Sequence, residues 1–431
     1  MARPPTSGTI AGMTTSPAQT TAACAATAPR SGPRPLDPRS ALPAHLAGAL
    51  EVPAHLIDLD QVAADVAVLA RLLGDTTLRY AVKAGPFPEV CRTVAEAGHS
   101  FEVASVREAQ LLAGIGVDLA AVVCTNPIKA PAEIRTLLEL GVATFAVDTV
   151  AEVDKLTRVC ASTRNPPQVR LLLRVAVPSR TAMYDLGTKF GADPARSESI
   201  AERASTAGFP IGTVAFHVGS QETAVAAWAH AARSALDTVA RLRQLGHPAA
   251  TLDVGGGFPA TYHGEQFDLS TAARLLLEAV DDAEMAVGLE AEPGRVLVAA
   301  AGRYIGRVLG VATRDGRRWV HLDVGMYHGP AEPSQSGWQV RYPLVVPGPA
   351  RTLGPAVVTG PTCDSGDIID PDGRLPTDLV EGEVVEVLCS GAYSAATATR
   401  FNGFAPPTVW FHQGGRVYAE RDGDVELAGR R

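Results

Sequence analysis

The stretch "RYAVKAGP" (residues 79–86) sets a lysine at the end of an apolar run. Lysine is among the residues least often buried without a partner, yet Tyr80, Ala81 and Val82 read as a core strand that delivers Lys83 inward. A lysine snorkelling to the surface would not need an apolar strand ahead of it. Lys83 therefore reads as a reactive group, and the segments around it decide which fold presents it.

Short apolar, β-branched runs recur after residue 56, each followed by a helix-like stretch rich in Ala, Leu, Glu and Arg. In order they are "LRYAV" (78–82), "FEVA" (101–104), "AAVVC" (120–124), "ATFAV" (143–147), "VRLLLRV" (169–175), "TVAFHV" (213–218), "TLDVG" (251–255) and "VGLEAE" (287–292). Eight apolar strands alternating with helices predict a (β/α)8 barrel, with an open doubly wound sheet as the alternative. Barrel active sites lie at the carboxyl ends of the strands, and polar residues gather there: Lys83, Glu102, Thr125, Asp148, Arg174, His217, the glycines 255–257 and Glu292.

After residue 295 helical periodicity fades, and runs such as "RYIGRVLGVATR", "GPAVVTG" and "EVVEVLCSG" alternate with turn residues. An all-β C-terminal domain over 295–431 is expected to follow a barrel over 44–294, with a strand before residue 56 joining the β-domain. Residues 1–43, rich in Pro, Thr, Ser and Ala, read as a disordered tail.

Composition narrows the partners. With 38 Lys and Arg against 46 Asp and Glu, the net charge of -8 offers no basic field for nucleic acid or an acidic membrane. No apolar run is long enough to span a bilayer. Six scattered cysteines include no CxxC pair, so neither a metal site nor a disulfide framework is signalled, and a cytoplasmic location is expected.

Two glycine-rich pieces, "DVGGGFP" (253–259) and "EAEPGR" (290–295), end the seventh and eighth runs. In this architecture the loops after those strands commonly hold phosphate, and Arg295 can add a bidentate contact. A lysine, a phosphate cradle and a nearby carboxylate together point to pyridoxal 5'-phosphate (PLP), with Lys83 as the Schiff-base lysine and Glu292 holding the pyridine nitrogen protonated. His217 would lie against the ring.

The ordered motifs "YAVKAGP", "FEVAS", "FHVGSQ", "DVGGGFP", "EPGR", "GPTCDSGD" and "GAYSAATATRFNGF" resemble the fold type III, alanine-racemase-like decarboxylases of ornithine, lysine, diaminopimelate and arginine. The resemblance spans roughly residues 50–420. It implies a PLP barrel with a β-domain, acting as a homodimer whose sites are each completed by the partner chain. It assigns Lys83, Glu292 and His217 as above. It adds Ser220, Gly255, Gly256, Gly257, Gly294, Arg295 and Tyr393 at the phosphate, and Arg174 beside the cofactor. Cys363 and Asp364 match the proton donor and the acid that grips the substrate's distal amine, and Tyr327 is a further cofactor-proximal residue. Glu332 is expected as a second substrate carboxylate.

Three features depart from the family pattern: Gly85 where Asn is usual, Glu102 where many members have Asp, and the stretch "HGPAEPSQSGWQVRYPL" after Tyr327, which is unlike that of eukaryotic ornithine decarboxylases. Cys363-Asp364-Ser365 and the "GAYSAATATRFNGF" ending favour ornithine, then lysine, and polyamine biosynthesis; diaminopimelate or an unusual amino acid stays open. A racemase would need a second base on the opposite ring face. A non-catalytic homologue would not need Lys83, His217, Glu292 and Cys363 together.

Overall fold

The structure, a computed structural model, describes residues 36–37, 39–263 and 266–420. Eight strands close a parallel barrel: β2 (Thr77–Ala81), β3 (Ser100–Val103), β4 (Val123–Cys124), β5 (Thr144–Val147), β6 (Arg170–Arg174), β7 (Ile211–Ala215), β8 (Thr251–Asp253) and β9 (Gly288–Ala291). Pairing of Thr77 with Glu290 and Leu78 with Ala291 joins the last strand to the first, which excludes the open sheet.

Local chemistry starts and stops the intervening helices where the strands need them. Ser105 accepts from the Glu108 N–H to cap the helix Val106–Gly114, and Glu108 returns the favour at the Ala104 N–H, 2.6 Å away. The helix Pro194–Ala207 opens on Asp193 and a first-turn proline and stops at Gly208, whose φ of 76° is left-handed. Inside the barrel, Arg79 pairs with Glu290 through two bonds of 2.6 and 2.8 Å and also donates to the Ala121 carbonyl.

The first strand of the chain, β1 (Ala54–Asp58), lies outside the barrel. It runs antiparallel to β10 (Gly302–Arg314) and parallel to β16 (Thr408–Gln413), setting Ala54 against both Ile305 and Thr408. The sheet continues through β11 (Arg317–Leu322), β13 (Leu353–Thr359) and β14 (Ile368–Pro376) on one side and β17 (Arg416–Ala419) on the other. The strand β15 (Val384–Leu388) pairs with β10 and with β12 (Leu344–Val345). Its own core includes Tyr304, Val320, Leu322, Val358, Ile369 and Val387.

The expected tail stops short of residue 43. Leu42, Leu46 and Leu50 pack with Leu56 and Ile305, and the Leu42 N–H donates to both carboxylate oxygens of Glu386 at 2.9 and 3.1 Å. Apolar burial and a buried acceptor thus anchor this segment. The rest of the tail reading falls outside the described residues. No helix among those residues is long and apolar enough to cross a membrane.

Candidate active site

The strand β2 is buried on its apolar side, with Tyr80 and Val82 fully enclosed, and ends in a 3-10 turn over Val82–Ala84 that carries Lys83 into the barrel mouth. The Lys83 side chain keeps 42% exposure and its Nζ meets one carboxylate oxygen of Glu102. The second Glu102 oxygen accepts the Thr125 hydroxyl at 2.6 Å. Desolvation opposes the Lys83 charge, but Glu102, then Tyr393 and Glu292, overcome it and raise its pKa above the ordinary lysine value.

Glu292 follows β9 on the same side. Burial first, then the charges of Asp253 and Glu102, push its carboxyl well above the usual range, and its Oε1 has no hydrogen-bond partner. Asp253 accepts from the Gly255 N–H at 2.8 Å and is raised to about 7, chiefly by burial. His217 accepts the Gly219 N–H on Nδ1 at 3.0 Å, which places any ring proton on Nε2. Burial, with Arg174 and Lys83 adding, lowers its pKa to about 3, so the imidazole is neutral at ordinary pH. The Arg174 guanidinium lies 5.2 Å from the centre of the Phe190 ring.

A second corner forms around Arg295, which is only 4% exposed. Its Nη1 donates to Tyr262 Oη at 2.6 Å and to Glu332 Oε2 at 2.8 Å. Its Nη2 donates to Glu332 Oε1 at 2.5 Å and to Ser220 Oγ at 3.2 Å. The guanidinium stands 4.9 Å from the Tyr393 ring centre. Its Nε is buried without a partner. Gly255 and Gly257 adopt φ of 65° and 94°, and a Cβ there would lie 2.1 and 2.3 Å from the carbonyls of Phe216 and Gly219. Gly256 sits between them.

The corner is knitted to the lysine turn. Tyr393 N–H donates to the Ala84 carbonyl at 2.7 Å, and a Cβ on Gly294 would approach Ala84 Cβ to 2.8 Å. Lys83, Arg174, His217, Ser220, the three glycines, Glu292, Gly294, Arg295 and Tyr393 therefore surround one end of the barrel. Glu332, expected at the substrate, sits in the Arg295 corner with both oxygens engaged.

Cys363, Asp364 and Tyr327 form a separate cluster in the β-domain. Tyr327 donates its hydroxyl to Asp364 and stacks on Phe401 at 4.4 Å. The Cys363 N–H and thiol both reach Asn402 Oδ1, at 3.1 and 3.2 Å, and the cysteine is exposed. The Tyr327 hydroxyl and the Gly366 N–H hold the Asp364 carboxyl below its ordinary range. None of these three bonds to a barrel residue named above.

Several members escaped the sequence reading. Asp253 and Asn402 lie inside motifs already quoted, so their positions were visible though their partners were not. Tyr262 stands in an irregular loop after the glycines and carries no sequence signal for its bond to Arg295.

Residues 59–299 match the family model for the pyridoxal-binding domain of pyridoxal-dependent decarboxylases. The chain belongs to that family. The lysine/ornithine decarboxylase of Selenomonas ruminantium is 32% identical over 85% of this chain and 91% of its own length. A diaminopimelate decarboxylase from Actinosynnema pretiosum is 31% identical over 89% and 90%. The crystal structure of the Vibrio vulnificus lysine/ornithine decarboxylase complexed with cadaverine superposes with a TM-score of 0.77, at 34% identity over 85% of this chain and 98% of that one.

This decarboxylase uses PLP, and its own geometry fits the cofactor. Glu292 Oε1 is a buried acceptor in need of a donor, Arg295 Nε is a buried donor in need of an acceptor, and Lys83 remains reachable. The neutral His217 adds a flat ring without a charge.

Proposed function

We propose that this decarboxylase removes the α-carboxylate of a basic L-amino acid, ornithine first and lysine second, and releases the diamine. The observation that carries the substrate choice is Asp364, half-buried and held below its ordinary pKa by the Tyr327 hydroxyl, because an anionic anchor suits a distal ammonium. The relatives named for lysine and ornithine support the same class.

When bound, PLP supplies the aldehyde that takes the substrate amine and the ring that accepts the electron pair left as the bond from Cα to the carboxylate breaks. Lys83 tethers the cofactor between turnovers. Glu292 would hold the proton on the ring nitrogen, where the positive charge offsets the burial and the neighbouring acids that raise its carboxyl. Cys363 returns a proton to Cα after carbon dioxide leaves, its thiol positioned by Asn402 Oδ1. Because Cys363 and Asp364 bond to none of the barrel groups, we assign them to the partner's site in a homodimer.

Incubating the protein with PLP and L-ornithine, L-lysine, L-arginine or meso-diaminopimelate, and measuring carbon dioxide together with the amine formed, tests this. Putrescine from ornithine at the highest kcat/KM is the expected result. Preference for diaminopimelate, or racemisation without carbon dioxide, would reject it.

A further inference from the structure

We infer that Glu332 belongs to the phosphate corner and sets how much of the Arg295 charge a phosphate can use, rather than gripping the substrate. The inference rests on the PLP reading and assigns one of its residues.

Glu332 is 6% exposed and Arg295 4%. One Glu332 oxygen accepts Arg295 Nη2 at 2.5 Å; the other accepts Nη1 at 2.8 Å and faces the Tyr262 hydroxyl at 3.5 Å. A substrate ammonium would have to share this carboxylate with a bidentate guanidinium already on both of its oxygens, or break that pair and leave the guanidinium buried without its counter-charge, which is strongly unfavourable. The same pair governs phosphate. Of the five Arg295 N–H donors, those on Nη1 and Nη2 serve Glu332, Tyr262 and Ser220, while Nε has no partner. A phosphate therefore meets one uncommitted donor and a corner whose cation is already neutralised, beside the glycine turn.

Removing the Glu332 charge while keeping its shape should free that cation. In Glu332→Gln, with the full-length protein stripped of PLP and titrated by absorbance, the Kd for PLP should fall roughly tenfold. The concentration of inorganic phosphate needed to raise Tm should fall with it, and the KM for ornithine at saturating PLP should move much less. A raised KM with both phosphate affinities unchanged would overturn the inference and return Glu332 to the substrate pocket. Should Glu332→Gln not fold, Glu332→Asp decides by the same split: a larger change in PLP Kd than in KM supports the inference, and the reverse overturns it. A wild-type protein that takes up no PLP would sink the cofactor reading itself, whereas normal uptake with an unmoved Kd in Glu332→Gln sinks this inference alone.

Discussion

Glu102 holds Lys83 with one carboxylate oxygen and Thr125 with the other, so the lysine of the barrel mouth stands beside a fully buried anion. That anion is the first of the charges raising the Lys83 pKa above its ordinary value of 10.5. Condensation with an aldehyde needs the neutral amine. Glu102→Gln should lower the Lys83 pKa, so the pH at which the stripped protein takes up PLP at half its maximal rate should move down. The growth of the visible cofactor band across a pH series measures this. A profile that superposes on the wild type would show that Glu102 does not control the lysine.

Cys363 and Lys83 belong to clusters with no bond between them among the described residues, a separation that the proposed shared-site dimer would account for. Lys83→Ala and Cys363→Ala should each be nearly inactive alone. A mixed dimer contains one doubly damaged site and one intact site. Random exchange makes half the dimers mixed, so about a quarter of wild-type activity should return on mixing. Folded, exchanging mutants that stay inactive together would place Cys363 in its own chain's site or outside the chemistry.

The barrel was legible because each strand is a short apolar run ending in a polar residue, and Lys83, His217 and Glu292 follow directly from that punctuation. The strand ends are less so: the sixth apolar run spans 213–218, while β7 spans Ile211–Ala215 and the Phe216 N–H donates beyond it to the Asp253 carbonyl. Pairing of β1 with β16 brings Ala54 to Thr408, a contact no local pattern encodes. Glu332 was visible as an acid after Tyr327. Its partner was not, because Arg295 reaches it across 37 residues of chain and through a loop of unlike texture.

The Arg295–Glu332 pair is buried on both sides, so breaking it should cost more than removing it. Arg295→Gln leaves a buried carboxylate without its partner and should lower unfolding stability by about 3–5 kcal/mol. The double change Arg295→Gln/Glu332→Gln should recover a large part of that loss. Denaturant midpoints of the stripped proteins provide the comparison. Additive losses in the double variant would mean that the two side chains do not act as a pair.

His55 stacks on Tyr304 at 4.1 Å, and burial lowers its pKa from 6.5 to about 3. A depressed folded-state pKa gives stability that is fully present above 6.5 and lost as pH falls toward 3, because the unfolded chain binds the proton more readily. His55→Phe should therefore unfold less steeply in acid, and its stability relative to wild type should improve by about 1.4 kcal/mol per pH unit inside that window. His217 titrates in the same range in both proteins and cancels in the difference. Parallel stability curves from pH 7 to 4 would contradict the assignment.

The central claim is that Lys83 carries the cofactor. Borohydride reduction of the PLP-loaded protein, followed by proteolysis and mass spectrometry, tests it most directly. The account predicts one pyridoxyl label, on the peptide containing "RYAVKAGP" at Lys83, and its loss in Lys83→Ala. A label fixed on any other lysine, or one that survives in Lys83→Ala, would contradict it.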